Sequence, residues 1–185
     1  MVNRFLVNVF FLIISIAVVG SVQARATKAE VVKDIDLDKF SGTWYEIARL
    51  PNKHEDKLVE VKSVFTRTKD GGYAVENSGY KGSRGGKRTC VKGEISIPNP
   101  KIAGAMKVRI WFLNIDYRVV DIDKVNYEYA LISSDTKKYL WIMSKQPVMD
   151  KRKFNTLVDS ARDKGFEVDQ LEMVQQAYNS AVAQR

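Results

Sequence analysis

Hydrophobic and polar positions follow different periods in different parts of the chain. Residues Phe5 to Val19 form an apolar run broken only by Asn8 and Ser15. From Gly42 onward, short runs of β-branched and aromatic residues alternate with polar ones, the two-residue period of half-buried strands. This pattern predicts strands over Gly42–Leu50, Leu58–Lys69, Tyr73–Gly79, Gly86–Ile97, Ala105–Leu113, Tyr117–Ile122, Tyr127–Ser133 and Tyr139–Ser144. Asp70-Gly71-Gly72 and Ser134-Asp135-Thr136-Lys137 are hairpin connectors, and Pro98 and Pro100 break the chain between the fourth and fifth strands.

Strands joined by such short connections pair antiparallel, because parallel neighbours need long crossovers. Met106, Val108, Ile110 and Phe112 share one strand face, while Lys107 and Arg109 share the other. Val59, Val61, Ser63 and Phe65 stand likewise against Glu60 and Lys62. One apolar and one polar face suit an all-β, eight-stranded up-and-down barrel able to enclose a small ligand. A packed sandwich satisfies the same alternation. Beyond the strands, Phe154, Leu157, Val158 and Ala161 fall at helical spacing behind Asp150 as N-cap, and Gly165 ends the helix. Its apolar stripe is expected to lie on the barrel's outer wall. Leu171–Val174 is expected to add a short strand, with Gln175–Arg185 a loosely held tail.

The first 26 residues stand apart from this pattern. Arg4 precedes the apolar run, and the small-residue sites Val22-Gln23-Ala24 and Ala24-Arg25-Ala26 follow it. Residues 1–26 therefore read as an export signal and 27–185 as one domain, soluble in the periplasm or outside the cell after cleavage. A retained anchor is the competing reading, since the run approaches the roughly 20 residues that span a bilayer. No Cys adjoins the junction to carry a lipid.

Composition removes several chemistries. The 185 residues contain one Cys and one His, which excludes an internal disulfide, cysteine-based zinc and HExxH-type sites. Thirty Lys and Arg against 22 Asp and Glu give a charge of +8, a balance that favours peripheral contact with anionic lipid. Lys81, Arg84, Lys87 and Arg88 cluster among glycines, but the spacing fails the phosphate-loop pattern; the cluster reads as a solvated basic loop, and no nucleic-acid partner is expected because export removes it.

Three segments carry a family resemblance. Leu37-Asp38-Lys39-Phe40-Ser41-Gly42-Thr43-Trp44-Tyr45-Glu46-Ile47-Ala48-Arg49-Leu50-Pro51 contains a Gly-x-Trp; Asp123 precedes Asn126-Tyr127 and Ala130; and Tyr139-Leu140-Trp141-Ile142-Met143-Ser144-Lys145-Gln146-Pro147 closes the set. Together with Val75-x-Asn77-x-Gly79-Tyr80, these resemble the lipocalins, most of all the bacterial branch related to apolipoprotein D. The resemblance implies a barrel closed at one end, with Gly42, Trp44, Asp123, Tyr127 and Lys145 as structural residues. Lysine at 145 stands where the family usually has Arg. It implies a carrier rather than an enzyme, without metal or cofactor, holding fatty acids or lysophospholipids in the service of membrane lipid maintenance. With Trp44 inward, strand alternation would send Glu46 and Ala48 inward too. Met106, Val108, Ile110 and Phe112 would form the acyl wall, with Val61 and Phe65 opposite. The alternatives are an isomerase using Cys90, which otherwise reads as a small packing residue, and a haem or tetrapyrrole carrier using His54. A homodimer is equally compatible with the sequence.

Overall fold

The computed structural model describes residues 30–177; the expected export signal and the last residues of the chain lie outside them. Eight strands form one antiparallel meander: β1 (Gly42–Arg49), β2 (Leu58–Arg67), β3 (Tyr73–Lys81), β4 (Arg88–Ser96), β5 (Ala105–Ile110), β6 (Leu113–Ile122), β7 (Tyr129–Ser133) and β8 (Leu140–Ser144). Each pairs with its sequence neighbour, and β1 pairs with both β2 and β8. That last pairing closes the sheet into a barrel and decides against a sandwich.

Alternation on the closed sheet yields two apolar clusters. The inner one gathers Phe40, Trp44, Phe65, Val75, Met106, Val108, Val119, Ile132 and Met143. The outer one gathers Ile47, Leu131, Leu140 and Ile142 beneath a helix, α2 (Lys151–Asp163), which contributes Leu157 and Ala161. Asp150 caps α2 by accepting from the backbone N–H groups of Arg152 (3.0 Å) and Lys153 (3.2 Å), an arrangement worth about 1 kcal/mol. Gly165, at φ +79°, ends the helical segment.

Three features depart from the expected pattern. A bulge in β1 lets Glu46 oppose Met143 and Ala48 oppose Ile142, so one extra residue, Ile47, inverts the alternation. Ala48 therefore faces outward, fully buried under α2, and not into the barrel. Second, the predicted fifth strand ends early: the chain reverses at Trp111-Phe112, with Ile110 opposite Leu113. Phe112 is thus 84% exposed at a hairpin tip and is no part of the interior wall. No Gly, Pro, Asn or Asp marks this turn, which is why the sequence pattern ran through it.

Third, the end of the described chain is tied into the barrel. Above Tyr45, β1 and β2 part, and a short strand, β9 (Glu172–Met173), pairs with Ala48 and Arg49. The Val174 N–H donates to the Ile47 carbonyl (2.9 Å), and the Glu60 N–H donates to the Gln175 carbonyl (2.7 Å). Gln176 is buried, its Nε2 donating to the carbonyls of Glu46 (2.7 Å) and Val61 (3.1 Å). Gln175 and Gln176 are seam residues, not a loose tail.

Candidate functional site

One end of the barrel is plugged. A short helix, α1 (Leu37–Phe40), capped by Asp36, drives Phe40 against Trp44 (ring centroids 5.0 Å apart) and Phe65 (4.9 Å). Gly42, at φ +100°, turns the chain from the plug into β1, a conformation that a Cβ would strain. Trp44 Nε1 donates to the Phe40 carbonyl at 2.7 Å. Lys145 Nζ lies 4.5 Å from the Trp44 ring centre and donates to the carbonyls of Phe40 (3.1 Å) and Ser41. Partial burial lowers its pKa to about 8. Asp123 organises the β6–β7 turn by accepting from the Val125 and Asn126 N–H groups, and the Tyr127 hydroxyl accepts from the Asp36 N–H at 3.0 Å. The expected structural residues therefore meet at the plug.

The opposite half differs. Tyr117 packs on the inner cluster, and Ile115 and Leu113 precede it on the same face of β6, yet they are 44% and 51% exposed. Val91, opposite inward-facing Asn77, is also 44% exposed. β4 pairs with β5 only over Glu94–Ser96, and β6 pairs with β7 only from Arg118 onward, so these inward-parity residues lie on strand segments that extend past the closed sheet, and this end of the barrel is an open cup. Met106 and Val108 are buried at its base, and Ile110 is partly buried on the same wall. Gly93 is needed beside them, because a Cβ there would come within 2.5 Å of Val108 Cγ1. Val61 is buried beside Gly79 on β2.

The facing wall is polar. The β1 bulge that expels Ala48 brings Arg49 inward, opposite Trp141. Arg49 Nη1 donates to Glu46 Oε1 (2.9 Å), and its Nη2 donates to the carbonyls of Glu55 (2.7 Å) and Leu58 (3.3 Å). Glu55, folded back from the β1–β2 loop, accepts from Asn52 (2.7 Å) and from Trp141 Nε1 (2.8 Å). Burial, reinforced by the Glu55 charge and only partly countered by Arg49, raises the Glu46 pKa to about 8. Burial also pushes the Tyr117 hydroxyl up, helped by Glu46 and Glu55. The cup is therefore amphiphilic: aliphatic on β4 to β6, hydrogen-bonding on β8 and β1. Arg49, Glu55 and Trp141 are not singled out by the sequence pattern, although Trp141 alternates with Met143 and Lys145 in a legible strand, and pattern alone leaves the facing of Tyr117 open.

Residues 35–176 match the family described as the lipocalin-like domain. The chain belongs to the lipocalin family. It is 29% identical to the outer membrane lipoprotein Blc of Vibrio cholerae over 168 residues, covering 90% of this chain and 97% of that one. It is 32% identical over 158 residues to temperature-induced lipocalin-1 of Arabidopsis thaliana, covering 80% and 83%. Among solved structures, the cockroach allergen Per a 4 superposes with a TM-score of 0.65 at 21% identity, covering 84% of this chain and 98% of that one. Insecticyanin from the tobacco hornworm Manduca sexta gives 0.64 at 21% identity, covering 82% and 88%.

The other candidate residues lie elsewhere in this lipocalin. Cys90 is exposed, opposite outward-facing Ser78, with Glu76 as neighbour, and so is neither in the cup nor a packing residue. His54 is exposed in the β1–β2 loop. Among the described residues, no group of His, Cys, Asp or Glu is arranged to hold a metal ion. A groove of about 470 Å³ crosses the outer wall where β1 and β2 part, lined in part by Tyr45, Glu60, Lys62, Arg84 and Gln176. Its lining sets Glu60 against Lys62, Arg84 and Arg88, with Tyr45, Tyr80 and Pro147 supplying apolar surface.

Proposed function

We propose that this lipocalin binds single-chain amphiphilic lipids, fatty acids or lysophospholipids, in the open half of its barrel, and that it is a carrier and not an enzyme. The observation that supports this reading most is the division of the cup into an aliphatic wall (Val91, Ile95, Ile110, Ile115) and a hydrogen-bonding wall (Glu46, Arg49, Glu55, Trp141). A ligand with an acyl chain and one polar end satisfies both walls, whereas a wholly apolar ligand leaves the polar one without compensation. In this reading, of the residues expected to contact ligand, Val108, Ile110 and Met106 supply the base and aliphatic wall, Glu46 belongs to the polar wall with Val61 beside it at the same level, and Phe65 and Trp44 support the cup from below.

Residues 1–26, read as an export signal, and the similarity to proteins named outer membrane lipoprotein support a place in the cell envelope or outside it; a role in maintaining membrane lipids goes with the proposed ligands. The test is a titration of the purified protein with an environment-sensitive fluorescent fatty acid. Saturation at one ligand per chain, reversed by an unlabelled lysophospholipid, is expected. The absence of saturable binding contradicts the reading.

A further inference from the structure

The β5–β6 hairpin stands at the open end of the barrel and turns on Trp111 and Phe112, 86% and 84% exposed. Folding alone does not favour these residues there. Trp111 sits at φ +53°, where a bulky side chain is strained and Asn or Gly is the usual choice. Leu113 follows, 51% exposed, and Ile115 continues the apolar surface into the cup. The result is a contiguous apolar rim, not a scattering of single residues.

Charge is distributed unequally between the two ends. The mouth connections, residues 50–57, 82–87, 111–112 and 134–139, carry six Lys and Arg against Glu55, Asp56 and Asp135, and Glu55 is turned inward onto Trp141. The connections at the plugged end, residues 68–72, 97–104 and 123–128, carry Lys69, Lys101 and Lys124 against Asp70, Asp123 and Glu128. The Gly82 N–H donates to the Lys57 carbonyl at 2.7 Å, which holds the basic β3–β4 loop beside the β1–β2 loop. Aromatic tip and positive charge thus coincide at the end where the cup opens.

We propose that the barrel mouth is a docking surface for an anionic lipid bilayer. Trp111 and Phe112 enter the boundary between headgroups and acyl chains, the level that amphipathic aromatic rings favour. Lys53, Lys57 and Lys87 face the lipid phosphates, while Arg84 is paired with Glu60 at 3.3 Å; each basic residue adds to the attraction while salt screens it. Resting on the lipid reading above, the docked pose sets the cup's opening against the membrane, so that an acyl chain passes between bilayer and barrel with little exposure to water.

The test uses the exported form of the chain and vesicles of phosphatidylcholine with or without phosphatidylglycerol. Trp111→Gly combined with Phe112→Asn suits this two-residue turn, whose positive φ falls on its first residue alone, so this variant keeps the fold. Its partitioning onto anionic vesicles is expected to fall about tenfold or more. Lys53→Glu combined with Lys87→Glu is expected to weaken binding to anionic vesicles and flatten its salt dependence, without changing binding to neutral ones. The fluorescence of the wild-type protein is expected to shift to the blue on anionic vesicles, and that of the tip variant to shift less, because Trp44 is buried in the plug and only Trp141 in the cup wall is left to respond. Equal partitioning of tip variant and wild type overturns the proposal. So does a wild-type protein that ignores vesicles, including one that forms a tip-dependent dimer in sizing experiments. Loss of fatty-acid binding with vesicle docking intact would instead count against the lipid reading alone.

Discussion

A charge placed on the cup's aliphatic wall should abolish lipid binding. Val108 is 4% exposed, packed on Gly93 and Ile110, and its cross-strand partner Ile115 is 44% exposed. Val108→Glu forfeits about 1.5–3 kcal/mol of apolar burial and sets a carboxylate in a low-dielectric wall, at a cost of several kcal/mol. Water one strand away gives that carboxylate a route to hydration, which floods the wall in place of the acyl chain. Affinity for a fluorescent fatty acid should fall at least about a hundredfold, roughly 2.7 kcal/mol. Lys107→Gln is the control. Its neighbour, Lys107, points outward, Nζ 3.3 Å from Asp116, and its loss should leave binding within about twofold. Circular dichroism must show the barrel intact. Ile115→Glu, at a wetter position on the same face, gives a second reading that does not depend on tolerance at Val108. Folded Val108→Glu and Ile115→Glu proteins that bind like the wild type would refute the cup assignment.

Other outcomes follow from the polar wall, the seam and the plug. The Glu46 carboxyl, raised to about 8, keeps its proton in the folded protein over a range where the unfolded chain has lost it. Stability from this group is complete below the ordinary carboxylate range and declines as pH rises toward and through about 8, so Glu46→Gln should gain on the wild type in urea denaturation between pH 5 and 9; a constant difference contradicts the protonated state. Gln176→Ala leaves the Glu46 and Val61 carbonyls without their side-chain donor, a loss of about 2–3 kcal/mol, seen as a melting temperature lower by about 4–12 °C. An unchanged melting temperature shows that the seam does not brace the barrel. Lys145→Met removes the donor to Phe40 and Ser41 and the cation over Trp44; thermal stability should fall while fatty-acid affinity holds within about threefold, the ligand lying in the other half. A large loss of affinity in a folded protein would place ligand against the plug.

Much of the barrel was legible because most strands have one wet and one dry face. Strand parity grouped Val61 with Phe65, and Met106 with Val108 and Ile110, on apolar strand faces, and Trp44 with the other motif residues at the plug was legible from the family resemblance. What escaped depends on single-residue events. A bulge at Ile47 exchanges Ala48 for Arg49, and no Gly or Pro marks it. The tight turn at Trp111-Phe112 carries aromatics where turn-formers are usual, so the pattern counted Phe112 as wall. The Gln176 contact spans more than a hundred residues of sequence, and no local period encodes it. The polar wall was hidden for the same reason: Glu55 and Trp141 meet only after closure.

The claim that the barrel carries an amphiphilic lipid is tested most directly by native mass spectrometry of the exported protein, purified without detergent. The expected result is a population heavier than the bare chain by the mass of one fatty acid or lysophospholipid, released on denaturation and absent from the Val108→Glu protein. A folded protein that is bare throughout, and stays bare after incubation with those lipids, would contradict it.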